Sequence, residues 1–282
     1  GGLALDPAAA ASRAAALIEA GADALDVGGE STRPGAARVP AEEQIRRIAP
    51  AVRAIRGAGI AAPISVDTTL AAVAEAAFEA GADAVNDVSG GSEDPDLLRV
   101  CAERGRGVVL MHRLTTPDRD RYSHSYPAAP EYAGGVVSAV RGALSRMLEA
   151  AVSAGIPPEA VLLDPGLGFG KTVEQNLELV RACGRIQGAI GRPLLGAASR
   201  KSFVGVASGL GRDSEPRRRV AGSVAVALEM WRRGVRIFRV HDVREHAEAL
   251  RAAAAVQGPE AGPQPPREEP AGPAGSLPRV RR

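Results

Sequence analysis

The sequence predicts an α/β chain folded as a (β/α)8 TIM-type barrel from which the first β-strand is missing. Three observations predict this. Ala-rich amphipathic stretches alternate with short apolar runs, a Gly often separates the two, and the apolar runs end in polar residues. The unit is clearest where Glu19-Ala20-Gly21-Ala22-Asp23-Ala24-Leu25-Asp26-Val27 is nearly repeated as Glu79-Ala80-Gly81-Ala82-Asp83-Ala84-Val85-Asn86-Asp87-Val88. Each Gly suits the left-handed position after a helix, where a side chain would be strained. The apolar run that follows is too short for a helix and fits a buried strand.

Taken in order, a helix near 7–20 leads to a strand near 24–27, which carries Asp26 and opens toward Glu30. A helix near 41–57 precedes a strand near 63–67 that ends on Asp67. The helix near 69–80 leads to a strand near 84–88 with Asn86 and Asp87, and the helix near 95–104 to a strand near 107–112 ending on His112. A longer helix near 131–154 precedes the strand near 161–164, which ends on Asp164. The helix near 173–188 leads to a strand near 193–197, then Ser199 and Lys201. Finally, a helix near 215–233 leads to a strand near 235–240 with Arg239 and His241 beyond, and a helix near 242–255 closes the series. Helices alternating with buried strands imply a parallel sheet covered on its outer face. A doubly wound open sheet is the other arrangement these elements allow. The chain opens directly into its first helix, whereas a (β/α)8 barrel needs a strand before it. Gly1-Gly2 reads as the end of a loop whose strand is absent, as in a 5′-truncated reading frame.

Composition bounds the function. The chain has 282 residues, and an α/β barrel runs to about 250 as one domain. Aromatics make up only 3% of it, so the core must be built from Ala, Val, Leu and Ile. A formal net charge of +2 gives no case for nucleic acid. Cys101 and Cys183 lack metal-ligand or CxxC spacing and read as free buried thiols in a reducing cytosol. There is no apolar run long enough for a membrane span and no signal peptide, so a soluble cytoplasmic protein is expected. Barrel residues 1–255 give way to a tail, 256–282, that holds seven prolines and little to bury. Such a segment cannot offset its ordering entropy and is expected to be disordered.

Catalytic groups of a parallel barrel sit where strands end and loops begin. One polar residue there would be an ordinary helix cap. Polar residues at all seven strand ends, cations facing carboxylates, are hard to ascribe to capping. Gly28-Gly29-Glu30-Ser31-Thr32-Arg33-Pro34-Gly35-Ala36 forms a long motif after the first strand present. It is followed by Ser65-Val66-Asp67-Thr68, Asn86-Asp87-Val88, Leu110-Met111-His112 and Asp164-Pro165-Gly166-Leu167-Gly168-Phe169-Gly170-Lys171. Ser199-Arg200-Lys201-Ser202 and Arg239-Val240-His241-Asp242 complete the series. In content and order these motifs resemble the dihydropteroate synthases, over roughly residues 1–255.

The resemblance implies a folate-pathway transferase that joins 6-hydroxymethyl-7,8-dihydropterin diphosphate to p-aminobenzoate and releases pyrophosphate. It implies that Asp67, Asn86, Met111, Asp164, Phe169 and Lys201 bind the pterin, with Met111 and Phe169 packing on the ring. It places Arg33, Arg239 and His241 at the diphosphate, and Thr32, Arg33, Ser199 and Lys201 around p-aminobenzoate. Asp67, Lys201, Arg239 and His241 are the catalytic set so implied. A carboxylate suits the paired donors of a pterin edge, a guanidinium fork suits phosphate oxygens, and a fixed negative charge suits a cation developing on the pterin. The family uses Mg2+, ligated through the diphosphate by an Asn on the first strand; that ligand would lie upstream of Gly1, leaving no metal ligand in this chain and its activity doubtful. A homodimer through helices at the C-terminal end of the barrel, and inhibition by sulfonamides, are also implied.

Two other motifs point elsewhere. Gly166 to Thr172 suggests a nucleotide loop, but Pro165 takes the first Gly position of GxxxxGK[ST]. Arg217-Arg218-Arg219 reads as a solvated helix start, and His124 as solvated. The stretch from Arg113 to Glu131, with Tyr122, His124 and Tyr126, is longer than the family's loop and suggests no function by itself. A pterin-binding methyltransferase would share Asp67, Asn86 and Asp164 but would not need Ser199, Lys201 or the arginines. An inactive truncated barrel is the non-enzymatic alternative.

Overall fold

The computed structural model describes residues 6–258. The repeated Gly unit has a common geometry. Gly21, Gly81, Gly105, Gly155 and Gly234 all lie at positive φ, from +60° to +109°. At each, the Gly N–H and the next N–H turn back onto the preceding helix, as in Gly81 to Phe78 at 3.0 Å and Ala82 to Ala77 at 2.9 Å. The turn satisfies helix-end carbonyls that would otherwise be orphaned and reverses the chain into a strand.

Helix α1 (Pro7–Glu19) leads to β1 (Leu25–Gly28), α2 (Ala41–Gly57) to β2 (Ile64–Asp67), α3 (Ala71–Ala80) to β3 (Ala84–Asp87), and α4 (Leu97–Glu103) to β4 (Gly107–Met111). Then α5 (Val136–Ser153) leads to β5 (Val161–Asp164), and α6 (Val173–Ile190) to β6 (Leu195–Gly196). Helices α7 (Ser202–Ala207) and α8 (Val220–Arg232) precede β7 (Ile237–Phe238), and α9 (Val243–Gln257) follows. Strands β1 to β5 pair in sequence order, all parallel, and β6 pairs parallel with β7. A bridge between Leu163 and Leu194 joins the two sets. The result is the expected parallel, helix-wrapped barrel wall.

Strand side chains alternate between two faces. Ile64, Val66, Val85, Val108, Leu110, Val161 and Leu163 are buried in the core cluster with Val73, Ala74, Ala77, Leu97 and Leu144 from the helices. The many alanines let helices lie close to the sheet, so a core poor in aromatics still closes.

Several details differ from the sequence expectations: α8 begins at Val220, after a 3-10 turn at Pro216–Arg219, rather than near 215, and strands β6 and β7 hold two residues each. Helix α7 was not anticipated; at six residues with an internal Gly205, it offers too little periodicity to read. Helix α5 begins at Val136 rather than near 131, because Gly134 and Gly135 both sit at positive φ. The last helix runs to Gln257, two residues past the expected domain boundary. The expected tail from 259 on, and the question of a strand within residues 1–5, lie outside the described residues.

Candidate active site

The period of two decides which polar residues meet. Asp26, Ser65, Asp67, Asn86, Met111 and Asp164 occupy matching positions on β1 to β5. Their register pairs Asp26 with Ser65, Asp67 with Asn86, and Met111 with Asp164. The side chains confirm a shared face: Ser65 Oγ donates to Asp26 Oδ1 at 2.6 Å, and Asn86 Nδ2 donates to Asp26 Oδ2 at 3.2 Å. Asp87, the neighbour of Asn86, points the other way and accepts from the N–H groups of Ser89 (2.7 Å) and Gly91 (2.5 Å). It shapes the β3 loop and does not join the site.

Arg239, just beyond β7, reaches across to β1 and β2. Its Nε donates to Asp26 Oδ2 at 2.5 Å and its Nη2 to Asp67 Oδ2 at 3.2 Å. The Asp26 charge, then that of Asp67, hold the guanidinium more firmly protonated than usual, against the cost of burial. Asp67 is buried, and its carboxyl is pushed up to about 7, by loss of water first and by the Asp26 charge second; Arg239 pulls the other way.

Asp164 accepts from Gly166 N at 2.7 Å. Burial raises its pKa, opposed chiefly by Lys201. Lys201, at the start of α7, donates to the Leu167 carbonyl, and its Nζ stands 4.7 Å from the Phe169 ring centroid. Loss of water lowers Lys201 to about 8 despite the pull of Asp164. Phe169, Lys201 and Asp164 thus share one wall, with Met111 beside Asp164. Ser199 Oγ meets both the backbone N and the ring Nδ1 of His241 at 3.1 Å. The cleft walls and the guanidiniums of Arg200 and Arg239 hold the His241 imidazole down at about 4, so it is neutral at pH 7.

The loop between β1 and α2 carries Thr32 and Arg33. It is anchored through Glu30, which accepts from Val39 N at 2.7 Å, and Arg47, which donates to Gly29 O at 2.8 Å. Arg33 is exposed, and no carboxylate among the described residues lies within ion-pair distance. Among the described residues, no hydrogen bond or ion pair joins the Thr32 or Arg33 side chain to Ser199, Lys201 or Arg239.

A cluster of carboxylates, an amide and cations at the C-terminal ends of barrel strands fits an enzyme site. The profile of the pterin binding enzymes matches residues 1–241. The chain belongs to the pterin-binding enzyme family. A dihydropteroate synthase from Mycobacterium leprae is 41% identical over 267 residues, covering 94% of this chain and 90% of that protein. A probable bifunctional folylpolyglutamate synthase/dihydropteroate synthase from Haloferax volcanii is 41% identical over 250 residues, 89% of this chain and 28% of that longer protein. The solved dihydropteroate synthase of Xanthomonas albilineans with 4-aminobenzoic acid superposes with a TM-score of 0.79 at 40% identity, covering 89% of this chain and 85% of that one.

Several residues of this pterin-binding barrel were not singled out by sequence reasoning. The sequence marks Asp26 only as one polar strand end, yet it joins Ser65, Asn86 and Arg239; the signal is its alternate position on β1. Lys171, dismissed with the nucleotide-loop motif, is fully buried and donates to the carbonyls of Gly166 (3.0 Å) and Phe169 (2.8 Å). It also lies 3.1 Å from His112 Nδ1, and burial brings its pKa down to about 7. His112 is neutral, held near 3 by burial and by Lys171. Gly166, at φ +68°, permits this loop: a Cβ there would lie 1.7 Å from the His112 carbonyl oxygen. The reading of Arg217 to Arg219 as solvated holds for Arg217 and Arg218, which are exposed, and needs correction at Arg219. Arg219 is buried and donates to Ser214 Oγ at 3.0 Å and to the Arg200 carbonyl at 2.9 Å, bracing the turn that presents Ser199 and Lys201. His124 is half-buried rather than solvated and stacks on Tyr122, with 5.9 Å between ring centroids.

Proposed function

We propose that the chain condenses 6-hydroxymethyl-7,8-dihydropterin diphosphate with p-aminobenzoate to give 7,8-dihydropteroate and pyrophosphate, the dihydropteroate synthase reaction of folate biosynthesis. The observation that carries this reading is the inward convergence of Asp67, Asn86, Met111 and Asp164 on one face, closed by Lys201 on one side and Arg239 on the other.

Asp164 takes the paired N–H donors of the pterin edge, Asn86 the neighbouring ring edge, and Lys201 the carbonyl side. Met111 and Phe169 pack on the ring. The amine of p-aminobenzoate attacks the pterin methylene. A C–N bond forms, the C–O bond breaks with its electron pair going to the diphosphate, and the nitrogen gives up a proton. No covalent protein nucleophile is needed. Asp67 faces the positive charge that grows on the pterin as the leaving group departs, the electrostatic support that counts most for rate. Arg239, His241 and Arg33 receive the diphosphate, while Thr32, Ser199, Lys201 and Arg33 surround p-aminobenzoate. Bound pyrophosphate would compete with Asp26 and Asp67 for the Arg239 guanidinium.

Among the described residues no group of three His, Cys, Asp or Glu side chains is placed to hold a metal ion. The carboxylates nearest Arg239, Asp26 and Asp67, are already engaged by it. These residues do not form a magnesium cage. Magnesium enters the proposal only as an ion carried by the diphosphate oxygens, its preferred habit, and none of the protein groups above acts through it.

A homodimer is part of the same reading. It is supported by a groove between α6 and α8 in which Leu177, Val180, Ala225 and Val226 are bordered by Arg181, Glu229 and Arg233. A cytoplasmic setting is supported by the buried free thiols Cys101 and Cys183, which burial pushes up to about 12 and about 11.

Arg239→Ala tests the diphosphate assignment. Charge-assisted contacts contribute roughly 1.5–3 kcal/mol each, so affinity for the pterin diphosphate should fall about tenfold to a hundredfold. Bare 6-hydroxymethylpterin should bind nearly as before. Calorimetry with both ligands decides, and equal losses for the two would remove Arg239 from the diphosphate site.

A further inference from the structure

The segment between β4 and α5 has a job that its sequence did not disclose. We propose that residues Arg113 to Tyr132 form a strap that positions the pterin-facing loop Asp164–Lys171, with Asp120 and Tyr132 as its positioning residues. The inference rests on the function proposed above and assigns these two residues a role in it.

Gly170 is where the strap grips. Its N–H donates to Asp120 Oδ2 at 3.0 Å, and its carbonyl accepts from the Tyr132 hydroxyl at 2.7 Å. Its α-carbon lies against Leu114, where a Cβ would come within 2.4 Å of the Leu114 Cβ. Three points of one segment therefore close on one residue, taking both its backbone hydrogen-bonding groups. Asp120 is buried and itself fixed: its Oδ1 accepts from Arg121 N at 2.8 Å and from the Tyr126 hydroxyl. Burial keeps Tyr126 and Tyr132 protonated and so able to donate.

A second attachment runs through Asn176 on α6. Its Nδ2 donates to Ser123 Oγ at 3.0 Å, while its Oδ1 accepts from Gly168 N at 2.6 Å. Gln175 Nε2 adds a contact to Pro130 O at 2.7 Å. Gly168 and Gly170 flank Phe169, so the strap fixes the backbone on both sides of the ring that faces Lys201.

The other margin of the strap meets the loop bearing Thr32 and Arg33. Gly35 N donates to Pro117 O at 2.8 Å. At the base, Arg113 Nη2 meets Glu93 Oε1 at 2.5 Å, and Glu93 Oε2 is 2.9 Å from Arg38 Nη2 in that same loop. One segment thus ties the wall assigned to the pterin to the loop assigned to p-aminobenzoate and diphosphate. Small displacements of such walls are costly to reaction geometry, which is what a strap limits.

The test uses Tyr132→Phe in the full chain, with Asp120→Ala as a second variant. Amide hydrogen exchange of the peptide spanning Asp164–Thr172 should quicken about fivefold to tenfold in Tyr132→Phe, as expected for loss of one hydrogen bond holding a loop. Exchange in β2 and β3 should stay unchanged. Affinity for 6-hydroxymethyl-7,8-dihydropterin diphosphate should fall by a similar factor, with the melting temperature nearly that of the parent. If Asp120→Ala does not fold, Tyr132→Phe decides alone. A lowered melting temperature with unchanged loop exchange and unchanged affinity would make the segment a mere cover and overturn the proposal. Failure of the unsubstituted chain to bind the pterin diphosphate would count against the proposed function, and loop exchange would still judge the strap.

Discussion

Asp164→Asn is expected to lower affinity for the pterin substrate by at least a hundredfold while leaving the fold intact. Asp164 is 3% exposed, and its one backbone obligation is to accept from Gly166 N at 2.7 Å. The Asn carbonyl oxygen can meet that obligation. What Asn cannot do is present two acceptors to two N–H donors, because its amide nitrogen would face one of them. Two charge-assisted hydrogen bonds at roughly 1.5–3 kcal/mol each set the scale. The variant also deprives Lys201 of the charge that most supports its protonated state. Calorimetric titration with the pterin diphosphate, beside a melting curve for each protein, measures both parts. Parent-like affinity in a folded Asp164→Asn protein would move the pterin elsewhere.

Asp67→Asn should produce opposite effects on activity and stability. The Asp67 carboxyl is raised to about 7, mainly by burial. In an unfolded chain it would titrate near 3.9. Between about pH 4 and pH 7 the folded protein therefore keeps a proton that the unfolded chain has released. Folding stability falls as pH rises through that window, and the full cost is present above it. A shift of this size corresponds to something on the order of 2–4 kcal/mol. Asn removes that cost and still offers an oxygen to Arg239 Nη2. The variant should melt several degrees higher than the parent at pH 8, with the gap closing toward pH 4. Turnover should nonetheless drop by about a hundredfold or more, the scale on which removing one preorganised electrostatic group acts. A variant that melts below the parent at pH 8 would show that Asp67 is not held against its own charge.

Much of this was legible because it depends on local rules. The Gly stops at 21, 81, 105, 155 and 234 announce where helices end, and five of the seven strands are apolar runs with a definite last residue. Period-two alternation even separates Asn86 from Asp87, although the two stand at one strand end. What escaped depends on contacts between distant segments. Helix α7 is too short to show a face, and strands β6 and β7, expected near 193–197 and 235–240, are present but hold only two residues each. Lys171 looked like a fragment of a phosphate loop because nothing in the sequence reveals that carbonyls of Gly166 and Phe169 surround it. Arg219 looked solvated in a run of three arginines, although its guanidinium is consumed by Ser214 and Arg200. Asp120 and Tyr132 were invisible for the same reason: their partner, Gly170, lies far along the chain.

The central claim is that the inward face bounded by Lys201 and Arg239 carries out dihydropteroate synthesis. The most direct measurement is pyrophosphate release by the chain supplied with 6-hydroxymethyl-7,8-dihydropterin diphosphate, p-aminobenzoate and magnesium, with dihydropteroate identified as the second product. Release that requires both substrates, is suppressed by a sulfonamide in competition with p-aminobenzoate, and is lost in Asp164→Asn is the predicted result. A folded chain that binds the pterin diphosphate but releases no pyrophosphate when p-aminobenzoate is added would contradict the claim.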